Sequence, residues 1–339
     1  MPLISIYGTV YNNAYIIENS ISSLIRALRD FEERYELVIV ENYSTDGTWE
    51  KLLKIKKQYE NLRLFRYKCS RGKGRDIALR QTTGDFVMYL DFDCLFSREL
   101  GMIVERLSKL CMKGEIWNFG FSTRETMIEQ IGGWKDLNFG EDWELLGRAI
   151  KRDVKIKIIP VRRPIRNIRT TENGVYGERR YTRGTTSYLS RKLRNLRDTV
   201  IGWNLNPAHV IYSNDNLARP STFMLLILSA IYSFTFSNDP QHIKYKVYAN
   251  TEYLLPEEVG LPKEWFYIKW ENIDQTWSVV VKHVKEFIRK DKRIHFAILP
   301  FRKLLICFRE YEVFKKSLEE HTFYPSCERI GKIILKQYF

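Results

Sequence analysis

Cysteine is scarce in this chain and shows no pairing pattern. Its five cysteines, Cys69, Cys94, Cys111, Cys307 and Cys327, are scattered without a C-x-x-C spacing. That argues against a zinc site and a disulfide framework, and it fits a reducing compartment. Long apolar runs are missing too. Met224 to Phe236 has thirteen residues, short of the roughly 20 a membrane-spanning helix needs. No charged segment or cleavage site precedes Leu3-Ile4-Ser5-Ile6, so no signal peptide is expected and the cytoplasm is the expected location. There is no low-complexity tract and no repeat period. A G-x-x-x-x-G-K-[ST] loop is absent, as is a G-x-G-x-x-G after the first strand-like run, which argues against a P-loop enzyme and a dinucleotide oxidoreductase. Acids are depleted in one stretch. From Lys151 to Arg197 fifteen Lys and Arg stand against Asp153, Glu172 and Glu178, a local excess of twelve in a chain of net charge +14. Such a block implies an anionic partner, either phosphates, an anionic membrane surface or nucleic acid. No nucleic-acid motif accompanies it, so no nucleic-acid partner is expected.

What the chain does contain is the composition of an ordinary folded protein, 44% hydrophobic and 28% charged over 339 residues. That length suits one large catalytic unit plus an extension. The first 150 residues alternate strand and helix patterns, the signature of βαβ units on a parallel sheet. Strands are expected at Leu3 to Tyr7, Leu37 to Val40, Leu62 to Tyr67 and Phe86 to Leu90. Helical spacing of apolar residues predicts helices over Ile16 to Leu28, Thr48 to Tyr59, from Asp76 onward, Arg98 to Leu110 and from Gly140-Glu141-Asp142 onward. Further along, helices are expected at Trp277 to Lys290 and Arg302 to Leu318.

The most informative stretch is Gly84 to Asp93. Its apolar run reads as a strand buried on both faces, and it stops at Asp91 and Asp93, two carboxylates spaced i, i+2. Open α/β sheets bind ligands beyond the carboxyl ends of their strands. Two acids there suit a hard divalent cation bridging to a diphosphate. Three more loops fall at successive strand ends: Thr9 to Asn13, Glu41 to Thr48, and Arg71-Gly72-Lys73-Gly74-Arg75. The last is expected to offer backbone N–H groups and cations to phosphate oxygens.

The order of these motifs resembles the family-two glycosyltransferases with the GT-A fold. The family's T-x-N is matched by Thr9-Val10-Tyr11-Asn12, and its acidic pair before S-T-D-G-T by Glu41-Asn42-Tyr43-Ser44-Thr45-Asp46-Gly47-Thr48. Its glycine-rich loop is matched by Arg71 to Arg75 with Ala78, its G-D…D-x-D by Gly84-Asp85 through Asp93, and its G-G-[FW]…G-E-D by Gly132-Gly133-Trp134 and Gly140-Glu141-Asp142. The resemblance covers residues 3–160. It implies a Rossmann-like, mostly parallel sheet flanked by helices. It also implies inverting, metal-assisted (Mn or Mg) transfer of a sugar from a nucleotide-diphosphate sugar to an acceptor hydroxyl or lipid phosphate.

Carried over by position, the resemblance implies donor binding by Thr9, Tyr11, Asn12, Glu41, Asn42, Asp46, Lys73 and Asp91. Glu41 or Asn42 would read the base edge, and Lys73 would lie near the ribose or phosphates. Asp93 would bind the metal directly, with Asp91 on the ribose or the metal's water shell, and Asp142 would be the general base. Duller roles stay open beside these. Asp46 fits a turn, Glu141-Asp142 a helix cap, His209 a structural role, and Lys73 and Arg75 fit solvated charges. Asn42 departs from the family's second Asp, and no Q-x-x-R-W is present, which disfavours long-chain polymer synthesis.

Residues 1–215 are expected to form the GT-A domain and 216–339 a mainly helical region rich in aromatic, Lys and Arg residues. The basic segment followed by the apolar run suggests a glycan or lipid-linked acceptor and peripheral association with the inner membrane face. Arg179 and Arg180, beside Gly174 and Gly177, are expected to act in a lid that grips the donor diphosphate. Two other functions fit parts of the sequence. A sugar-1-phosphate nucleotidyltransferase would want a glycine-rich basic signature after strand one, which Gly8 to Asn13 lacks. A non-enzymatic protein could bind anions or nucleic acid through residues 151–197.

Overall fold

The computed structural model describes residues 4–162, 165–167, 198, 240–271, 273, 276–299 and 304–312. The expectations for Arg179, Arg180, His209, the run 224–236 and the boundary at residue 215 lie outside these residues.

The first half builds strands β1 (Ile4–Val10), β2 (Tyr35–Glu41), β3 (Leu62–Arg66), β4 (Phe86–Tyr89), β5 (Cys94–Phe96), β6 (Glu115–Trp117), β7 (Phe121–Thr123), β8 (Lys155–Ile158) and β9 (Ile165–Asn167). Between them lie helices α1 (Ile17–Ala27), α2 (Phe31–Arg34), α3 (Thr48–Lys56), α4 (Arg71–Arg80), α5 (Arg98–Leu110) and α6 (Glu141–Ile150). After them come α7 (Pro240–Ala249), β10 (Thr251–Tyr253), β11 (Tyr267–Glu271), α8 (Trp277–Lys290), β12 (His295–Leu299) and β13 (Leu304–Phe308).

The main sheet has eight strands in the order β10-β8-β6-β7-β4-β1-β2-β3. It is parallel except where β7 runs against both β4 and β6. Its edge strand β10 comes from beyond residue 215 and pairs with β8. Successive strand side chains point to opposite faces, and both faces are covered. Leu37 and Ile39 of β2 pack with Ile17, Ile21 and Leu24 of α1 and Ile103 of α5. Val38 and Val40 pack on the other side with Ala78 and Leu79 of α4 and Leu145 and Ala149 of α6. This is why β2 reads as an unbroken apolar run and not an alternating one. Each such fully buried side chain contributes about 1.5–3 kcal/mol.

Two expectations are corrected. The glycine-rich stretch is not a loop but the first turn of α4, which starts at Arg71 behind the N-cap Ser70. The glycines serve close packing: a Cβ on Gly72 would lie 2.0 Å from the Lys135 carbonyl oxygen, and one on Gly74 2.6 Å from Thr9 Oγ1. The stretch expected as a helix from Arg302 contains β13, the central strand of an antiparallel sheet ordered β11-β13-β12. Leu304-Leu305-Ile306-Cys307-Phe308 is buried at every position, and so short an apolar run does not separate strand from helix by periodicity. The C-terminal region thus holds a small sheet beside its helices among its described residues. Its helix α8 falls at the expected residues and packs Val280, Val284 and Phe287 on Trp270 and Leu305. No helix among the described residues is long and apolar enough to cross a membrane.

Candidate active site at the carboxyl edge of the main sheet

The parallel registers align Val10, Glu41 and Arg66 side by side at the carboxyl ends of β1, β2 and β3. The two loops that follow β1 and β2 are laced together. Ser44 Oγ accepts from the Asn12 N–H (2.9 Å), and Asn12 Oδ1 from the Thr45 N–H (3.0 Å). Asp46 accepts from the N–H groups of Ala14 (2.9 Å) and Thr48 (3.1 Å), and Thr48 Oγ1 from the Asn13 N–H (2.8 Å). Asn12 holds the left-handed conformation, φ 49°, a region Asn tolerates because its short side chain bonds locally. Asp46 is thus a latch between loops, the turn role weighed in the sequence. Tyr11, in the β1 loop, is exposed.

Glu41 and Asn42, the expected readers of the base, are both engaged within the protein. Glu41 is 0% exposed, its Oε2 lying 2.7 Å from Arg66 Nε while Oε1 accepts the Ser44 N–H. Asn42 forms a two-way amide pair with the backbone of Cys69, donating to its carbonyl (2.6 Å) and accepting from its N–H (2.9 Å). This explains the departure from aspartate at position 42, since a carboxylate cannot donate to the Cys69 carbonyl. Thr9 Oγ1 donates to the Val40 carbonyl (3.0 Å).

The start of α4 does not cradle an anion. The Arg71 N–H donates to Asn138 Oδ1, Gly72 to the Leu137 carbonyl, Lys73 to Ser70 Oγ and Gly74 to the Ser70 carbonyl. All four donors of the first turn are therefore satisfied by the protein. The Lys73 ammonium sits 3.8 Å from Asp76 on its own helix.

One side chain from this turn reaches the centre of the site. Arg75 is 1% exposed. Its guanidinium lies 4.8 Å from the ring centres of both Tyr89 and Trp134, a favourable stacked placement. It donates to Asp91 Oδ1 (3.0 Å), Asp142 Oδ1 (2.6 Å) and Glu141 Oε1 (3.1 Å). Arg71 adds a second donor to Glu141 at 3.1 Å. The Gly132-Gly133 turn places Trp134 under Arg75, with its indole N–H on the Tyr7 hydroxyl (2.9 Å) and its backbone N–H on Asp76 (3.1 Å). Gly133 has φ 76°, and a Cβ there would lie 2.2 Å from Asp76 Oδ1.

The electrostatics follow. Burial raises the Asp142 carboxyl above the ordinary aspartate value against the pull of Arg75, and Glu141 and Asp91 add to the rise. Burial alone would lower the Arg75 pKa, but Asp91 and Asp142 reverse that and hold it above the ordinary arginine value. The sequence offered one signal for this missed residue: carboxylates converging on one crevice need a buried cation.

Asp91 is exposed at the sheet edge, whereas Asp93 is buried with the Cys94 thiol 3.3 Å from its Oδ1. No group of three or more His, Cys, Asp or Glu side chains suited to a metal converges among the described residues. The carboxylates of Asp91 and Asp93 are hard oxygens, the donor type a magnesium-like ion takes together with phosphate oxygens and water. Strand β9 pairs antiparallel with β5, so Asn167 lies opposite Cys94. Asp198 Oδ2 accepts the Asn138 N–H (2.7 Å), four residues before Asp142.

Residues 5–147 match the glycosyl transferase family 2. A glycosyltransferase named AglE from Haloferax volcanii is 28% identical over 96 residues, 28% of this chain and 31% of that protein. A poly(ribitol-phosphate) beta-glucosyltransferase from Bacillus spizizenii is 33% identical over 93 residues, 26% of this chain and 14% of that protein. The chain thus spans less than a third of the length of these curated relatives. Among solved structures, S. aureus TarS 1-349 in complex with UDP-GlcNAc has a TM-score of 0.48 at 15% identity, covering 88% of this chain and 95% of that one. A mannosyltransferase from Pyrobaculum calidifontis in complex with GDP-Man and Mn2+ has a TM-score of 0.41 at 18% identity, covering 69% and 70%. Over residues 5–147, less than half of its length, the chain is similar to the glycosyl transferase family 2.

Proposed function

We propose that this chain transfers a sugar, with inversion, from a nucleoside-diphosphate sugar to an acceptor hydroxyl. The observation that carries the reading is Arg75, whose one guanidinium holds both Asp142 at the start of α6 and Asp91 at the end of β4. A base and a donor-side carboxylate therefore share one small region at the sheet's carboxyl edge, where such folds bind ligands. In this reading Asp142 accepts the acceptor hydroxyl proton as that oxygen attacks the anomeric carbon. The bond from that carbon to the diphosphate breaks, and the nucleoside diphosphate leaves. A single displacement needs only this one base on the attacking side. Arg75 keeps Asp142 ionised and oriented. Asp93 and Asp91 would hold a divalent ion, which supplies charge neutralisation to the departing diphosphate.

Thr9, Tyr11 and Asn12 would line the nucleoside side of the crevice, with Asp46 fixing their loop and Lys73 at its margin. Arg179 and Arg180 are proposed to grip the diphosphate. In support, the described residues that flank the basic span lie at the site: Asn167 is paired opposite Cys94, and Asp198 accepts the Asn138 N–H. A glycan or lipid-linked acceptor and an inner-face membrane position remain part of the proposal, resting on the basic block. Sedimentation with anionic vesicles at low salt checks the membrane position, and absence of binding would remove it.

The deciding test is calorimetric titration of UDP, GDP and CDP, and of UDP- and GDP-sugars, with and without manganese. Wild type and Asp93→Ala are run in parallel. Metal-dependent binding of one nucleotide, lost in the variant, is expected; no response to any nucleotide would overturn the reading.

A further inference from the structure

With Glu41 and Asn42 turned inward, the nucleoside side of the crevice needs another group to read the base. Arg66, at the end of β3, has the required properties. Its Nε is pinned by the fully buried Glu41 carboxylate at 2.7 Å. Its guanidinium carbon lies 4.7 Å from the Tyr43 ring centre and 5.0 Å from that of Trp49. Tyr43 is 53% exposed and its backbone is left-handed, φ 50°. For a tyrosine that is a strained conformation of the kind that collects at ligand clamps. The loop carrying it is laced to the β1 loop through Asn12, Ser44 and Asp46, so the clamp is held from both sides. The Arg66 side chain is 31% exposed, and no hydrogen bond engages either of its terminal nitrogens among the described residues.

We infer that Arg66, braced by Glu41 and stacked on Tyr43 and Trp49, is the residue that selects the donor's nucleobase, and that it selects a keto base. The assignment rests on the proposed nucleotide-sugar reading of the site. A guanidinium carries only donors, so it pairs with a carbonyl edge and rejects an exocyclic amine. Guanine offers O6 and N7 to such a fork, and uracil offers O4. Cytosine and adenine present amino groups at the corresponding edge. The placement suits the length of the ligand: β3 and β4 are separated by β2 and β1, three strand spacings or about 14 Å. That spans from a base at Arg66 to phosphates at Asp91.

The experiment is calorimetric titration of GDP, UDP, CDP and ADP with magnesium present, on wild type and Arg66→Lys. Lysine keeps the positive charge facing Glu41 and removes the planar fork. Wild type is expected to bind GDP or UDP about 5- to 150-fold more tightly than CDP and ADP. Arg66→Lys is expected to narrow the preference several-fold, because one flexible ammonium replaces the planar fork, while still binding through the diphosphate. A wild type that prefers CDP or ADP, or a variant that keeps the preference, would overturn the assignment to Arg66 and leave the glycosyltransferase reading standing. Binding of no nucleotide at all would overturn both. If Arg66→Lys does not fold, the double variant Glu41→Gln/Arg66→Gln removes both charges together and gives the same two outcomes.

Discussion

Replacing Arg75 with methionine keeps an unbranched chain of similar reach but removes the one positive charge that Asp91, Asp142 and Glu141 share. The costs differ by partner. Both Arg75 and Glu141 are 2% exposed in their side chains, and removing one member of such a buried pair costs about 3–5 kcal/mol. Asp91 and Asp142 are near half exposed, so each adds at most about 1 kcal/mol. A loss of that size lowers Tm on the order of 10 °C. The loss depends on pH with a determined sign. Burial already raises the Asp142 carboxyl, and Arg75 opposes the rise. A raised carboxyl contributes stability below its unfolded pKa and loses it as pH rises through the folded one. Without Arg75 the loss grows, so the gap from wild type is widest near neutrality and narrows as pH falls into the range where Asp142 protonates. The assay is thermal unfolding followed by tryptophan fluorescence across pH, since Trp134 packs on Arg75. The double variant Arg75→Met/Glu141→Gln should recover part of the loss, because it removes a buried charge that Arg71 alone is left to offset. A single variant melting within about 1 °C of wild type, where the pair penalty predicts far more, would refute the reasoning. A pH-independent gap would refute it as well.

Asp142→Asn should cut turnover about 10²- to 10⁴-fold while leaving nucleotide binding by calorimetry intact; unchanged turnover would remove Asp142 as the base. Asn42→Asp, though it restores the commoner family residue, should destabilise the fold by about 1–3 kcal/mol in urea denaturation, because its carboxylate faces the Cys69 carbonyl that the amide now satisfies. Gly74→Ala, ordinarily favourable in a helix, should instead cost about 1–3 kcal/mol of overpacking, since its Cβ would lie 2.6 Å from Thr9 Oγ1. A stabilised Gly74→Ala protein would show that α4 can shift away from β1.

Much of the architecture could be read without coordinates because it rests on local regularities. The four-residue pulse of apolar residues from Ile17 to Leu28 and the unbroken run of β2 each state their own burial, and α5 and α8 lie where periodicity put them. The acids after β4 and the Gly-Gly-Trp and Gly-Glu-Asp motifs also announced a site, since their spacing is local. Three things were settled only by the tertiary fold. Gly72 and Gly74 look like loop formers until Thr9 and the Lys135–Leu137 segment, distant in sequence, press against them. Leu304 to Phe308 becomes a strand because β11 and β12 flank it, which a five-residue pattern cannot foretell. Most consequential are the charges. A sequence shows that Glu41, Asn42, Lys73 and Arg75 are polar but not which way they face. For the buried ones the partner is distant in sequence, 25 residues away for Glu41 on Arg66 and 67 for Arg75 on Asp142. By itself the sequence determined the sheet and where its carboxylate motifs fall along the chain; the folded chain decided which side chains are braces and which face the crevice, because only packing removes a charge from water.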